Sequence, residues 1–475
     1  MLLSDILKEK SGKFADLEIT GVTCDSRKVG KGSVFVCING ALDDGHKYAR
    51  SAYDNGAAVI ICEKDTGLPN QIFTEDSRKE YARLSANWFS NPAKNLKIIG
   101  VTGTNGKTSV SYMIKEILEN CGHKVGLVGT IQNMIGDEVL PSKNTTPSCY
   151  ELQSMFSLMV AAGCDYCVME VSSHALDQDR VYGIEFEAGI FTNLTQDHLD
   201  YHITMDNYLK AKKRLFDMSK VAIMNSDDSY FEMMSQGLEN KIVTFSAKNN
   251  KSDYNAKNIS LKPDGSEFDL VSKTNSHHIK TAIGGKFTPY NAMAAAVCLI
   301  ELGFSFDAVS NAFEKMKGVK GRAEVVPCDR DFTIIVDYAH THDGHENILK
   351  TFSECDSNRR IVLFGCGGDR DRTKRPKMGA IAVENADYVI VTSDNPRSEE
   401  PIAIINDILE GMKNSKTPYE VIENRIEAIK KAVQIAEKGD IIVLAGKGHE
   451  TYQILKDGTI HLDEREIVAE ALQEL

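Results

Sequence analysis

One six-residue run, Gly103-Thr104-Asn105-Gly106-Lys107-Thr108, constrains this chain more than any other feature. It follows an apolar stretch, Lys97 to Val101, and precedes a helical pattern from about Ser109 to Asn120. Strand, glycine-rich turn and helix in that order make a cradle for phosphate. Glycines let backbone N–H groups turn toward phosphate oxygens, and the helix N-terminus adds positive potential. Lys107 is placed to reach β- and γ-phosphates, and the Thr108 hydroxyl to ligate Mg²⁺. The general pattern sets its first glycine five residues before the second. Here Val101 occupies that place, and the glycines fall at 100 and 103. A glycine-rich turn with a chance lysine is the plainer reading; the flanking strand and helix argue against it.

Buried-strand runs recur along the chain. Before the cradle lie Ser33 to Ile38 and Ala57 to Cys62; after it come Val125 to Val128, Tyr166 to Val171, Ala188 to Thr192 and Val221 to Met224. Helical patterns separate several of them, which predicts an α/β fold with parallel or mixed sheets. Asn91-Pro92 marks a linker. Three domains are expected: a small α/β N-terminal domain (1–94), a central P-loop ATPase-like domain (95–322) and a C-terminal Rossmann-like domain (323–475). In the last, Ile334 to Val336, Arg360 to Phe364, Tyr388 to Thr392 and Ile441 to Leu444 read as strands. Each leads into a loop of unusual chemistry: Asp337 to His340, Gly365 to Arg372, Asp394 to Arg397, and Gly446 to Glu450. Open α/β sheets bind ligands beyond the carboxyl ends of their strands, so these loops predict one shared crevice.

Composition narrows the partners. A net charge of −13 leaves no basic surplus for nucleic-acid phosphates. No apolar run approaches the roughly 18 residues of a membrane helix, and the start lacks a signal-peptide plan. Eleven cysteines, scattered and mostly inside apolar runs, predict reduced thiols in a cytoplasmic protein. No paired-cysteine metal spacing is present.

Three segments carry metal-capable or basic groups. Glu170 ends an apolar strand in Glu170-Val171-Ser172-Ser173-His174, where a carboxylate near the cradle would bind Mg²⁺. His198, in Asp197-His198-Leu199-Asp200, reads equally as a ligand or as a hydrogen-bonded structural histidine. Tyr208 to Phe216 reads as a basic helix, a solvated face or an attraction for phosphates, and composition does not single out Lys212.

In order and spacing these segments resemble the Mur ligase family. The cradle matches that family's version, shifted glycine included. So do Glu170 to His174, Asp197 to His202, Tyr208 with Lys212, Tyr290-Asn291-Ala292, Gly321-Arg322, Asp337 to His340 and Asp25-Ser26-Arg27. The resemblance implies an ATP-dependent amide ligase acting through an acyl-phosphate, similar to members that add the third residue of the peptidoglycan stem peptide. It implies that Gly103, Thr104, Asn105, Gly106, Lys107, Thr108 and Ser109, with Asn291 and Arg322, hold ATP, and that Asp337 orders the nucleotide. It implies a pair of Mg²⁺ ions on Thr108, Glu170, His198 and an N-carbamylated Lys212. Ser26, Asn144, Thr145, Thr146, Ser172, Gln178 and Arg180 would hold UDP-N-acetylmuramoyl-dipeptide. Arg370, Asp394, Asn395, Pro396, Arg397, Gly446 and Glu450 would hold meso-diaminopimelate, and a monomer is expected.

Asp394-Asn395-Pro396-Arg397 resembles the signature of diaminopimelate-using members. Diaminopimelate is lysine with an added carboxylate, which an arginine fork holds bidentately. One position departs from the family: His342 stands where Pro is common, which removes a φ restraint and adds a titratable group. The rivals are the same reaction with L-lysine, a sister ligase of the folylpolyglutamate synthase kind, and a non-catalytic nucleotide switch. The switch needs the cradle but no convergent loops in a second domain.

Overall fold

The apolar runs become strands because their β-branched residues bury on both faces of parallel sheets. A computed structural model of the chain describes residues 1–40, 43–248, 251–262, 264–316, 318–352 and 357–475. The chain divides into two units, Met1–Asp253 with Ala294–Phe304, and Tyr254–Met293 with Ser305–Leu475.

In the first unit, four short parallel strands form one sheet in sequence order: Gly21–Thr23, Ser33–Val36, Val59–Cys62 and Gln71–Phe73. A larger sheet runs in the order Lys241–Ser246, Ser219–Asn225, Phe186–Phe191, Lys97–Thr102, Tyr166–Glu170 and Val125–Val128, all parallel. It ends in the antiparallel strands Gln132–Ile135 and Glu138–Pro141. From Lys97–Thr102 the chain steps first to one side of the sheet and later to the other. That strand is therefore the switch point, and open α/β sheets bind their ligands at the carboxyl end of such a strand. The cradle sits there. The following helix starts at Lys107, two residues earlier than the pattern suggests. Gly106 takes the left-handed conformation as its N-cap, φ 86°, and lets the first turn close sooner.

In the second unit, strands Tyr254–Lys262, Gly265–Val271 and Ser276–Thr281 form an antiparallel meander. Sequence reading missed them because only alternate residues are apolar and none forms a continuous run. A second sheet runs Glu324–Val326, Thr333–Asp337, Ile441–Ala445, Arg360–Phe364, Tyr388–Val391 and Tyr419–Val421, with only the first strand antiparallel to its neighbour. Alternation sorts its residues to two cores. Ile335, Val362, Phe364 and Val443 face one; Ile334, Ile361, Leu363 and Leu444 face the other. The strands expected here are all present, within one or two residues at their ends.

The described cysteines are free thiols; Cys355 lies outside the described residues. Among the described residues no helix is long and apolar enough to cross a membrane.

One core position is costly. His345, Ile348, Leu349 and Phe352 share a face at helical spacing in and just beyond the helix His342–Thr351. His345 is fully buried against the Phe364 ring, and neither imidazole nitrogen has a partner among the described residues. Burial pushes its pKa down from 6.5 to about 3. His345→Leu should therefore stabilise the fold by about 1–3 kcal/mol, the cost of an unsatisfied buried polar group. Below about pH 6.5 the unfolded chain takes a proton at this residue that the folded chain refuses. Stability is lost as pH falls, so the variant's advantage should widen by up to ~1.4 kcal/mol per pH unit. Urea midpoints of both proteins at pH 7 and pH 5 check this; a gap that stays constant or reverses would refute it.

Candidate active site

The cradle is braced from one neighbouring loop. Thr104 N donates to Asn193 O at 2.8 Å, and Asn105 N to Asn193 Oδ1 at 2.9 Å. Thr192 Oγ1 donates to Asn105 O at 2.6 Å. A Cβ on Gly103, φ 144°, would overlap Thr192 Oγ1. Asn193 closes the loop from outside it, which motif reading had no means to show.

Two lysine amines converge on one carbonyl. Lys107 Nζ donates to Gly103 O at 3.0 Å and to Thr104 O at 2.8 Å. Lys212 Nζ donates to the same Gly103 O at 2.8 Å. Lys212 is 1% exposed and lies 4.6 Å from the Tyr208 ring centroid. Burial, followed by the Lys107 ammonium, holds its pKa well below the ordinary lysine range. The basic helix, Met205–Asp217, thus turns one lysine inward.

Glu170, 1% exposed, ends its strand beside the cradle. Thr108 Oγ1 donates to Glu170 Oε1 at 2.9 Å. Thr130 grips both carboxylate oxygens, N to Oε1 and Oγ1 to Oε2, each at 2.9 Å. Gly129 leaves room for that carboxylate: a Cβ there would stand 2.6 Å from Glu170 Oε1 and would push it aside. Neither Gly129 nor Thr130 was evident in the sequence.

His198, φ 52°, caps a four-residue helix, Leu199–His202. Its ring lies 4.8 Å from that of His174, and burial lowers both imidazole pKa values, His174 to about 4. Among the described residues no group of three or more His, Cys, Asp or Glu side chains is arranged to hold a metal. The donors beside the cradle are instead oxygens of Thr108 and Glu170, which suit Mg²⁺.

A strip of hydroxyls continues from Glu170. Thr130 Oγ1 lies 3.0 Å from Thr145 Oγ1. Thr146 Oγ1 donates to Glu170 O at 2.8 Å and accepts from Ser172 N at 3.0 Å. Arg180 Nη1 donates to Thr146 O at 2.8 Å, while Nε and Nη2 donate to Gln178 Oε1 at 3.1 and 2.8 Å. Asn144 is exposed at the start of the strip. Ser26 stands apart from this network, half-buried in a one-turn helix that Asp25 caps.

The second unit gathers the other candidates. Asp337 accepts from Ala323 N at 2.7 Å and Ala339 N at 2.8 Å; burial raises its pKa. The Arg322 guanidinium lies 5.2 Å from the Tyr338 ring centroid, its buried Nε without a partner among the described residues. Asn291 lies in the helix Thr288–Glu301. Asn395 Nδ2 donates to Glu450 Oε2 at 2.9 Å. Asp394 Oδ2 is close enough that a Cβ on Gly446, φ 114°, would meet it at 2.7 Å. Arg397, φ 54°, donates from Nη1 to Gly368 O at 2.9 Å and Asn395 O at 3.4 Å. Pro396 is buried between them, whereas Arg370 is exposed and bonds Asp369 O. His342 is the first residue of its helix, where proline is favoured; the Thr341 hydroxyl caps that turn by accepting from Gly344 N at 3.1 Å.

A braced glycine-rich loop at a sheet switch point, with two lysines on one carbonyl, is the arrangement expected of a nucleotide-phosphate site. The chain belongs to the Mur ligase family. Residues 18–99 match the family's "Mur ligase family, catalytic domain", 101–299 the "Mur ligase middle domain" and 321–448 the "Mur ligase, glutamate ligase domain". Members of this family form amide bonds using ATP. The chain is 49% identical to the UDP-N-acetylmuramoyl-L-alanyl-D-glutamate–2,6-diaminopimelate ligase 1 of Clostridium acetobutylicum, over 100% of this chain and 99% of that one. It is 50% identical to the corresponding ligase of Clostridium botulinum, over 96% of each. A solved structure of a ligase of that name shares 34% identity and a TM-score of 0.75, over 100% of this chain and 99% of that one.

Proposed function

We propose that this chain joins meso-2,6-diaminopimelate to the D-glutamyl side-chain carboxylate of UDP-N-acetylmuramoyl-L-alanyl-D-glutamate, with ATP becoming ADP and phosphate. The observation that carries the reading is the continuity from cradle to hydroxyl strip through Glu170 and Thr130. Nucleotide and carboxylate acceptor would meet along it. The relatives' names supply the particular substrates.

In this reading residues 1–94 recognise the UDP moiety through Ser26, 95–322 bind ATP, and 323–475 bind the amino acid. The cradle N–H groups and Lys107 align the γ-phosphate with the D-glutamyl carboxylate, held by Asn144, Thr145, Thr146, Ser172, Gln178 and Arg180. The carboxylate takes the phosphoryl group and becomes an acyl-phosphate. The free amine of diaminopimelate attacks that carbonyl, a C–N bond forms, phosphate leaves, and the amine gives up a proton. The protein's share is positioning and charge neutralisation. Asn291, Arg322 and Asp337 would orient the nucleotide.

Thr108, Glu170, His198 and a carbamylated Lys212 would hold Mg²⁺, which supplies neutralisation of crowded phosphate oxygens. The depressed pKa of Lys212 favours its neutral amine, the form that adds CO₂ and releases a proton to become a carbamate. That change turns a neutral amine beside the Lys107 ammonium into an anion.

The test is an assay of ATP turnover with the UDP-dipeptide and meso-diaminopimelate, L-lysine or L-ornithine. Amide product with diaminopimelate, and phosphate release that requires both substrates, are expected. Preference for lysine would replace the acceptor and leave the ligase. Phosphate release indifferent to both substrates would point to a nucleotide switch.

A further inference from the structure

We propose that Lys447 is a positioning and specificity residue for the amino-acid acceptor, acting through Asn395 and Glu450. The proposal rests on the acceptor reading above and adds a residue to it.

Lys447 is completely buried. Its Nζ donates to Asn395 Oδ1 at 3.2 Å and to Glu450 Oε2 at 3.0 Å. Asn395 Oδ1 also accepts from Ile454 N at 2.9 Å. An ammonium and a backbone N–H only donate, so together they fix which end of the Asn395 amide is oxygen. The amide nitrogen must then face Glu450 Oε2, and it donates there at 2.9 Å. The orientation of two acceptor-loop side chains thus depends on one cation held out of water. Gly446, next to Lys447 in the chain, has φ 114°, and a Cβ there would stand 2.7 Å from Asp394 Oδ2.

The charge of Lys447 matters as well as its bonds. At neutral pH diaminopimelate carries two ammonium and two carboxylate groups, net zero. Lysine carries one carboxylate fewer, net +1. Lys447 offsets the negative charge of Glu450 in a site of low effective dielectric. Without that offset the site becomes more negative and turns toward the cationic amino acid.

Lys447→Gln retains a donor for Asn395 and removes the charge. Its kcat/KM for diaminopimelate should fall about 10²-fold, the usual scale for breaking one side of a buried charge pair. The diaminopimelate-to-lysine ratio should fall with it, while KM for ATP and for the UDP-dipeptide stays within about twofold. Equal losses with both amino acids, or an unchanged ratio, would overturn the proposal. Glu450→Gln supplies the reciprocal arm should Lys447→Gln not fold. Removing the partner's charge should move the ratio the other way, toward diaminopimelate, whatever the total activity; a shift toward lysine would refute the charge argument. A wild-type enzyme that prefers lysine would instead refute the acceptor reading, independently of both variants.

Discussion

Lys212→Ala should lose ligation by at least about 10³-fold, the upper range for removing one charge-stabilising group from a preorganised site. A short carboxylate such as acetate, supplied in solution, should restore part of the rate to this variant and none to the wild type. The reason lies in the burial of Lys212 and in its shared carbonyl. A lysine 1% exposed beside a second ammonium, both on Gly103 O, is a poor place for a permanent cation. It is a good place for a neutral amine that takes up CO₂. Lys212→Arg should fail as completely as the alanine variant, because a guanidinium stays protonated and adds no CO₂. Full activity in Lys212→Ala, or an arginine variant that works normally, would remove the carbamate from the mechanism.

The second large effect is expected at Arg397. Its Nη1 bonds two backbone carbonyls, Gly368 O and Asn395 O, which orient the guanidinium but carry no formal charge to balance it. On the proposed function, the distal carboxylate of diaminopimelate would add a charged partner there, beside the nearby Asp369. Arg397 is half-buried, so its loss falls below the cost of breaking a fully buried ion pair, about 3–5 kcal/mol, and Arg397→Ala should lower kcat/KM for diaminopimelate by roughly 10²-fold at about 1.4 kcal/mol per decade. Arg397→Lys should recover little, since an ammonium cannot make the planar two-pronged contact. Steady-state kinetics with each acceptor decide it; an alanine variant that uses diaminopimelate normally would place the distal carboxylate elsewhere.

The legible parts of the sequence were those encoded locally. Gly103 and Gly106 announce unusual backbone, Lys107 and Thr108 follow in fixed register, and the flanking apolar strand and helix specify the context. The four central strands of the second sheet were legible because burial on both faces leaves long apolar runs; its edge strands, Glu324–Val326 and Tyr419–Val421, are three residues long and were not. The meander Tyr254–Thr281 was not, because its strands alternate and so dilute that signal. Thr130 and Lys447 escaped for another reason. Thr130 meets Glu170 across 40 residues and Lys447 meets Asn395 across 52, so their roles exist only once strands lie side by side. Lys212 was ambiguous until the helix Met205–Asp217 had an inside and an outside. His342 read as a lost restraint; at the first turn of a helix, the Thr341 cap offers another way to fix that start.

The grip of Thr130 on Glu170 separates what can vary from what cannot. One hydroxyl serves the carboxylate beside the cradle and touches the strip at Thr145, so a substitution on either side is felt on the other. The bonds among Lys447, Asn395, Glu450 and Arg397 close among residues of the second unit. On the proposed function, the incoming amino acid can be exchanged by redrawing a few of these loop residues without touching the bonds among Thr108, Glu170 and Thr130. An inhibitor lodged against Thr145 would face the opposite situation: escape mutations there would disturb the grip on Glu170 as well.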